Sequence, residues 1–428
     1  MKTIFNSLVT AMVETWLPYG RTEVSVKIPI ENLLNLIEPE KSLAVANLNE
    51  EILRALNNPL GTKLEEKAQA GANVAIVVED EFLPNSIILP PLFDRLNSLG
   101  IKDEDITIII GGNFQSAEPC LRTSLIGEEL HRRVRVVATN VNDEDFIHVG
   151  DTSRNTRVCV KKEFAEADLK ILTGRIGFHP FAGYVGGRSG VLSSVCGRET
   201  FQSSYASILD SKAKVGNLEE NPLNQEMEEA AHLAKANFVL NVALDAGGKI
   251  VGAFAGEVDQ AFLEARKFLD ERFRASVDRT ADIVILSSGG NPWDVTLSGA
   301  CQGLALALNV VKQDGVIVWI AECSQGAGSS VFHDWMSNFK TMDEAAPEIK
   351  KRCAPGGDAA YLLLKTLRKA KVVLVSVIPN YYAVGTLKLR TGGTANAALK
   401  FAFKMVGGKS KVLVLPNGIT VLPSVIRA

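Results

Sequence analysis

Eight short apolar runs, most of them without polar alternation, recur along this 428-residue chain with helix-patterned segments between them. They are ANVAIVVED (72–80), DITIIIGG (105–112), RVRVVATN (133–140), DLKILTG (168–174), ANFVLNVALD (236–245), ADIVILSSGG (281–290), GVIVWIAEC (315–323) and KVVLVSVIP (371–379). A strand with one face in water alternates apolar and polar residues, whereas continuous apolar strands are covered on both faces. Segments such as NPLNQEMEEAAHLAKA (221–236) and VDQAFLEARKFLDERFRA (258–275) carry apolar residues at helical spacing, and strands separated by such helices make a mostly parallel sheet. The chain therefore reads as α/β.

Its length exceeds one ordinary core, so two domains are expected. The charged stretch ERFRASVDRTAD (271–282), followed by a fresh strand-and-glycine unit, marks the boundary. The expected division is an N-terminal α/β domain over 1–275, a C-terminal α/β domain over 276–408, and a segment 409–428 packing back on the N-terminal domain, with a cleft between the two domains. Formal net charge is -3 with both signs interspersed, so no basic footprint points to nucleic acid or an anionic membrane. No window reaches the roughly 18 apolar residues of a membrane span. The six cysteines form no CxxC pair, which fits a reducing cytoplasm better than a disulfide framework. A small molecule is the expected partner, and self-association is left open.

Several strands end in glycine turns, GGN (111–113), SSGGNP (287–292) and ECSQGAG (322–328) among them. In open α/β sheets ligands bind beyond the carboxyl ends of the strands, where glycine lets backbone N–H groups approach an anion. Neither a Walker loop nor a GxGxxG fingerprint is present. The richest stretch is FHPFAGYVGGRSGVLSSVCG (178–197). His179 is its candidate acid or base, Gly186 and Gly187 could open the next helix to an anionic ligand, and Arg188 could pair with a carboxylate or phosphate. The bland alternatives are a structural histidine and an ordinary ion pair. In EDE (79–81), Asp80 could meet a hydroxylated ligand or simply cap a turn, while Asn221 and Pro222 read as the start of a helix. Of the other histidines, His131 sits among arginines, His232 lies in a charged helix, and His148 and His333 have no glycine turn beside them.

Taken together these motifs resemble the lactate racemase family, which carries a nickel-pincer nucleotide. The resemblance runs through LPYG (17–20), VVEDEFLP (77–84), GFHPFAGYVGGRSG (177–190), NP (221–222), NVALDAGGKIVGAFAG (241–256), ILSSGGNPWD (285–294), AEC (321–323) and LPNGITVLP (415–423). It implies isomerase chemistry in which the α-hydrogen of a 2-hydroxy acid is taken as hydride by the cofactor, with two histidines handling the hydroxyl proton. One of those bases falls on His179. The second falls on position 113, where this chain has Asn113. The lysine that tethers the cofactor falls on Ser189, and the nickel-coordinating histidine on Tyr205. Position 83 has leucine in place of the family's arginine, and the second domain's glycine turn has Asn291 and Val295 in place of tyrosine and lysine.

Three readings follow. The first is a racemase or epimerase of a 2-hydroxy acid or related hydroxy-carboxylate, with His179 as acid/base, an altered cofactor site, and Asp80, Asn113, Gly186, Gly187, Arg188, Ser189, Tyr205 and Asn291 lining it; no metal ligand is assigned, although Cys196 is a soft donor nearby. The second is a cofactor-free enzyme with a single base. The third is a non-catalytic member that binds its ligand.

Overall fold

The computed structural model describes residues 11–38, 44–79, 83–111, 125–140 and 143–426; Asp80 and Asn113 lie outside them. The chain divides into two compact units, one of Met1–Glu38, Arg274–Met342 and Ala359–Ala428, the other of Pro39–Phe273 and Asp343–Asp358. This differs from the expected consecutive division at 275 and 408. The opening residues and the segment 409–428 both belong to the unit built from Arg274 onward, because their strands complete its sheet.

The first unit starts with a hairpin, β1 (Met12–Tyr19) and β2 (Thr22–Pro29), paired from Met12↔Pro29 to Tyr19↔Thr22. Gly20 turns it at φ +55°, opening a two-residue loop in which glycine takes the left-handed conformation without a Cβ penalty. β3 (Leu33–Leu36) follows.

The second unit is then built from β4 (Val74–Val78), β5 (Ile106–Ile110), β6 (Arg135–Ala138), β7 (Phe146–Asp151), β8 (Arg157–Lys161), β9 (Leu169–His179), β10 (Gly183–Val185), β11 (Phe238–Leu244) and β12 (Ile250–Gly256). Its main sheet runs β12-β11-β9-β4-β5-β6, parallel throughout except between β11 and β12. β10 folds back on β9, and β7 and β8 form a separate antiparallel pair. All five β4 residues are buried, as the unalternating pattern requires of a strand covered on both faces. From β4 the chain moves outward through β5 and β6 and then returns to β9 on the other side of β4. β4 and β9 thus meet at a switch point, where connections leave in opposite directions and a crevice opens beyond the strand ends.

Returning to the first unit, the chain adds β13 (Arg274–Val277), β14 (Ala281–Ser287), β15 (Val311–Ile320), β16 (Lys371–Val375), β17 (Arg390–Thr391), β18 (Val412–Leu415) and β19 (Leu422–Val425). The sheet β17-β16-β15-β14-β18-β3 is parallel throughout and has its own switch point between β14 and β18. Ile283, Ile285, Val316, Val318, Val373, Val412 and Val414 pack on one face with Leu17, Val26 and Ile28 of the hairpin and Ala398, Leu399 and Ala402 of the helix Ala395–Val406. Each such Val, Leu or Ile side chain contributes about 1.5–3 kcal/mol on full burial. Among the described residues no helix is long and apolar enough to cross a membrane.

Candidate functional site

His179 is the last residue of β9. The strand continues past the expected end at 174, so the histidine sits at a strand tip with its backbone in register with Gly183. Pro180, Phe181 and Ala182 form the loop to β10, closed by Gly183 at φ +82°. In this loop the backbone N–H groups of Phe181 and Ala182 both turn back to donate to His179 Nδ1, at 3.2 and 2.8 Å. The side chain is half-buried. Its dense surroundings, and after them the positive charge of Arg175, lower its pKa from 6.5 to about 4. At neutral pH the imidazole is therefore uncharged.

The glycine stretch behind it does not open a helix to an anion. Gly187–Ser189 is a short 3-10 turn and Val191–Val195 a π-helical turn before the helix Arg198–Tyr205. Gly187 N–H donates to Asn241 Oδ1 at 2.5 Å, so it is engaged inside the protein. A Cβ on Gly186 would meet Phe262 Cδ2 at 2.9 Å and one on Gly187 would meet the Leu172 carbonyl at 3.2 Å; both glycines permit close packing. Arg188 is likewise internal, only 3% exposed. Its guanidinium donates to Glu228, Asp259 and Asn224 at 3.0, 2.8 and 2.6 Å and lies 3.8 Å from the centre of the Phe262 ring. The expectation that it grips an anionic ligand gives way to this arrangement, in which two carboxylates from distant helices already neutralise it.

Ser189, 2% exposed, faces the switch point. Its hydroxyl lies 2.7 Å from Glu79 Oε1 and 2.6 Å from the Gly186 carbonyl, while the Ser193 hydroxyl lies 2.7 Å from the same Glu79 oxygen and 3.0 Å from the Ser189 carbonyl. Glu79 follows β4 directly, and a Cβ on Gly174 would meet its Oε2 at 2.8 Å. The crevice end between β4 and β9 thus holds a carboxylate bound by two serine hydroxyls four residues apart on one face of a helical turn. The π-helical turn that carries Ser193 is a rare geometry found often at functional sites.

Tyr205 closes the helix Arg198–Tyr205, 6% exposed and stacked on Phe201 with ring centres 4.0 Å apart. Burial, followed by the charge of Asp358, raises its pKa well above 10, so the phenol stays protonated. Cys196 donates its thiol to the Leu192 carbonyl at 2.8 Å, and burial pushes its pKa up to about 12. No group of three or more metal-binding side chains occurs among the described residues. Three of the other four histidines have side-chain partners, His148 with Asp151, His232 with Asp259 and His333 with Tyr382.

Asn291 belongs to the first unit. It lies exposed in the turn after β14, joined to Pro292 by a cis peptide bond, and its N–H donates to the Gly20 carbonyl at 2.7 Å. The centre of that turn is Asp294, fully buried. Its Oδ2 accepts from the N–H groups of Gly20 and Glu322 at 2.8 and 3.0 Å. Tyr19 nearby has its pKa pushed up to about 12 by burial and by Glu322, Cys323 and Asp294.

Family models for the lactate racemase N-terminal and C-terminal domains match residues 19–216 and 277–423. A lactate racemase of Thermoanaerobacterium thermosaccharolyticum is 30% identical over 96% of this chain and 99% of its own length. The chain belongs to the lactate racemase family. A second lactate racemase, from Lactiplantibacillus plantarum, is 29% identical over 96% of this chain and all of its own length. The solved lactate racemase apoprotein from T. thermosaccharolyticum superposes with TM-score 0.88 at 29% identity, covering 96% of this chain and all of that one. A Thermotoga maritima protein shares the fold at TM-score 0.67 and 16% identity, over 91% of this chain and all of that one.

Within the lactate racemase family pattern, the structure brings the turn of Gly186, Gly187, Arg188 and Ser189 to the β4–β9 end of one sheet, leaves His179 at the far tip of β9, and has Asn291 in the turn after β14 of the other unit. Sequence reasoning passed over Glu79, Ser193 and Asn241. Asn241 did leave a signal, as the one polar residue of the buried strand FVLNVAL. Glu79, next to Asp80 at the end of its strand, leaves no such signal.

Proposed function

We propose that this protein binds a 2-hydroxy acid or related hydroxy-carboxylate and carries out racemase- or epimerase-class chemistry on it, with His179 at the reacting centre, in a site whose cofactor-holding residues have been replaced. The observation that carries this reading is His179 itself, uncharged and fixed by two backbone N–H groups at the tip of a central strand in a fold shared end to end with lactate racemases. Ligands of open α/β sheets collect at such strand ends.

The nickel-pincer nucleotide that family membership implies requires an amine for its linkage and a ligand side chain for nickel. At those positions Ser189 has a hydroxyl held beside Glu79, and Tyr205 has a buried, protonated phenol. The neutral thiol of Cys196 faces a carbonyl. These residues do not fit that group. Racemisation takes the α-hydrogen from the hydroxyl-bearing carbon and returns it to the other face, so it needs an acceptor for that hydrogen as well as a fixed polar group that stabilises the negative charge built on the hydroxyl or carboxylate oxygens.

The residues at the cofactor positions, Ser189 and Tyr205, favour a second reading, a member that binds hydroxy-carboxylates without turning them over. Incubating the protein with single enantiomers of lactate, malate and other 2-hydroxy acids, followed by chiral chromatography, separates the two. The isomerase reading expects loss of optical purity that His179→Ala abolishes while the protein stays folded. Ligand-dependent thermal stabilisation with no change of configuration anywhere in the panel would leave only the binding reading.

A further inference from the structure

The hydrogen bonds of His179 define which of its nitrogens is free to meet a ligand. A neutral imidazole has one N–H and one lone pair. Phe181 N–H and Ala182 N–H both point at Nδ1, and a backbone amide can only donate, so the lone pair is on Nδ1 and the hydrogen on Nε2. Pro180 and the left-handed Gly183 fix the loop that aims these amides, so a flipped tautomer would set an Nδ1–H against two other N–H groups at 2.8 and 3.2 Å.

We propose that His179 meets the substrate as a neutral N–H donor, presenting Nε2–H to the hydroxyl or carboxylate oxygen, and does not serve as the proton-accepting base. Accepting a proton would require a lone pair on Nε2, and hence the hydrogen on Nδ1 that the loop excludes. Giving one up at neutral pH would require an imidazolium, which the same loop opposes. Among the described residues Arg175, on the same strand, is the charged group that bears on the ring, and it opposes protonation too. A neutral imidazole donor at a developing oxyanion keeps one protonation state across the neutral range and needs no reorganisation as charge builds. The name of the ligand rests on the proposed hydroxy-carboxylate reading; the donor state does not.

The test uses the intact wild-type protein labelled with 15N-histidine. Single substitutions of His131, His148, His232 and His333 assign the spectrum by elimination and leave the Phe181 and Ala182 amides that hold His179 in place. The expected result is an Nε2–H tautomer for His179 that does not titrate between pH 5.5 and 8. An Nδ1–H tautomer, or a titration midpoint between about 6 and 7.5 as for an ordinary histidine, overturns the proposal. A second arm measures thermal stabilisation by L-lactate, D-lactate and malate. His179→Gln keeps a side-chain N–H and is expected to retain most of the shift, whereas His179→Ala loses most of it; equal loss in both variants, with wild type responding, also overturns it. If the wild type itself shows no shift with any of these acids, the hydroxy-carboxylate reading fails and the spectrum still decides the donor state.

Discussion

The two sheets of this protein follow one plan and end in different chemistry. Both are parallel at their centres and both reverse direction beside a central strand, at β4–β9 in one unit and β14–β18 in the other. At the β14 end the polar groups are turned on the protein itself. Ser288 bridges the Trp319 indole and the Ala300 carbonyl, Gly289 N–H donates to Ser287, and Asp294 pins Gly20 and Glu322. At the β4–β9 end Glu79, Ser189 and Ser193 collect instead, a carboxylate held by two side chains, while His179 stands at the tip of β9, beyond the last β4 pairing at Val78↔Thr173. A glycine-rich strand end thus reports geometry, and only the hydrogen-bond partners tell a structural pin from a site.

Asp294→Ala should break that contrast from the structural side and have the largest effect. It strips two buried N–H groups of a charged acceptor, each worth about 1.5–3 kcal/mol, so a loss of about 4 kcal/mol is expected in urea unfolding, with the His179 15N signal unmoved. A loss below about 1 kcal/mol would mean that Asp294 does not hold the turn.

Acid should single out the other end. Because His179 has a folded-state pKa of about 4 against 6.5 for a free histidine, the unfolded chain takes up a proton that the folded chain refuses. Its contribution to stability is complete above pH 6.5 and is lost as pH falls toward 4. Between pH 7 and pH 4.5 that loss amounts to about 2–3 kcal/mol. His179→Gln should lack this increment, read as the difference between the two proteins' stability–pH curves. Superimposable curves would mean that burial and Arg175 do not depress the histidine.

Arg188→Met sharpens the comparison further. With Glu228 and Asp259 both in part open to solvent, the expected loss is about 2 kcal/mol, below that of a fully buried pair, with the thermal shift induced by lactate retained. A variant that stays stable and loses ligand response would return Arg188 to the anion-binding role read from the sequence. Ser189→Ala should have the smallest effect, about 1 kcal/mol for one hydroxyl partner of Glu79.

The architecture was legible because most of the eight apolar runs carry their own reason for being buried on both faces, and each overlaps a strand of the structure, the exception in burial being β6 at the sheet edge. The division of the chain was less so: β3 and β18 are short, and only long-range pairing puts Leu33 beside Val412 and Leu413 beside Val284. At the site, His179 could be picked out from its glycines, but its protonation state depends on where two amides of a three-residue loop point. Arg188 was read as open to an anion because Glu228 and Asp259 lie 40 and 71 residues away in sequence. Ser189 was visible as a departure from the family pattern, while its partner Glu79 could be named only once β4 and β9 stood side by side.

The most direct test of the rebuilt site is intact-mass and metal analysis of the wild-type protein purified from a host that makes the nickel-pincer nucleotide. The account predicts the mass of the unmodified chain, 46.2 kDa, and nickel far below one ion per chain. A covalent nucleotide adduct together with stoichiometric nickel would contradict it.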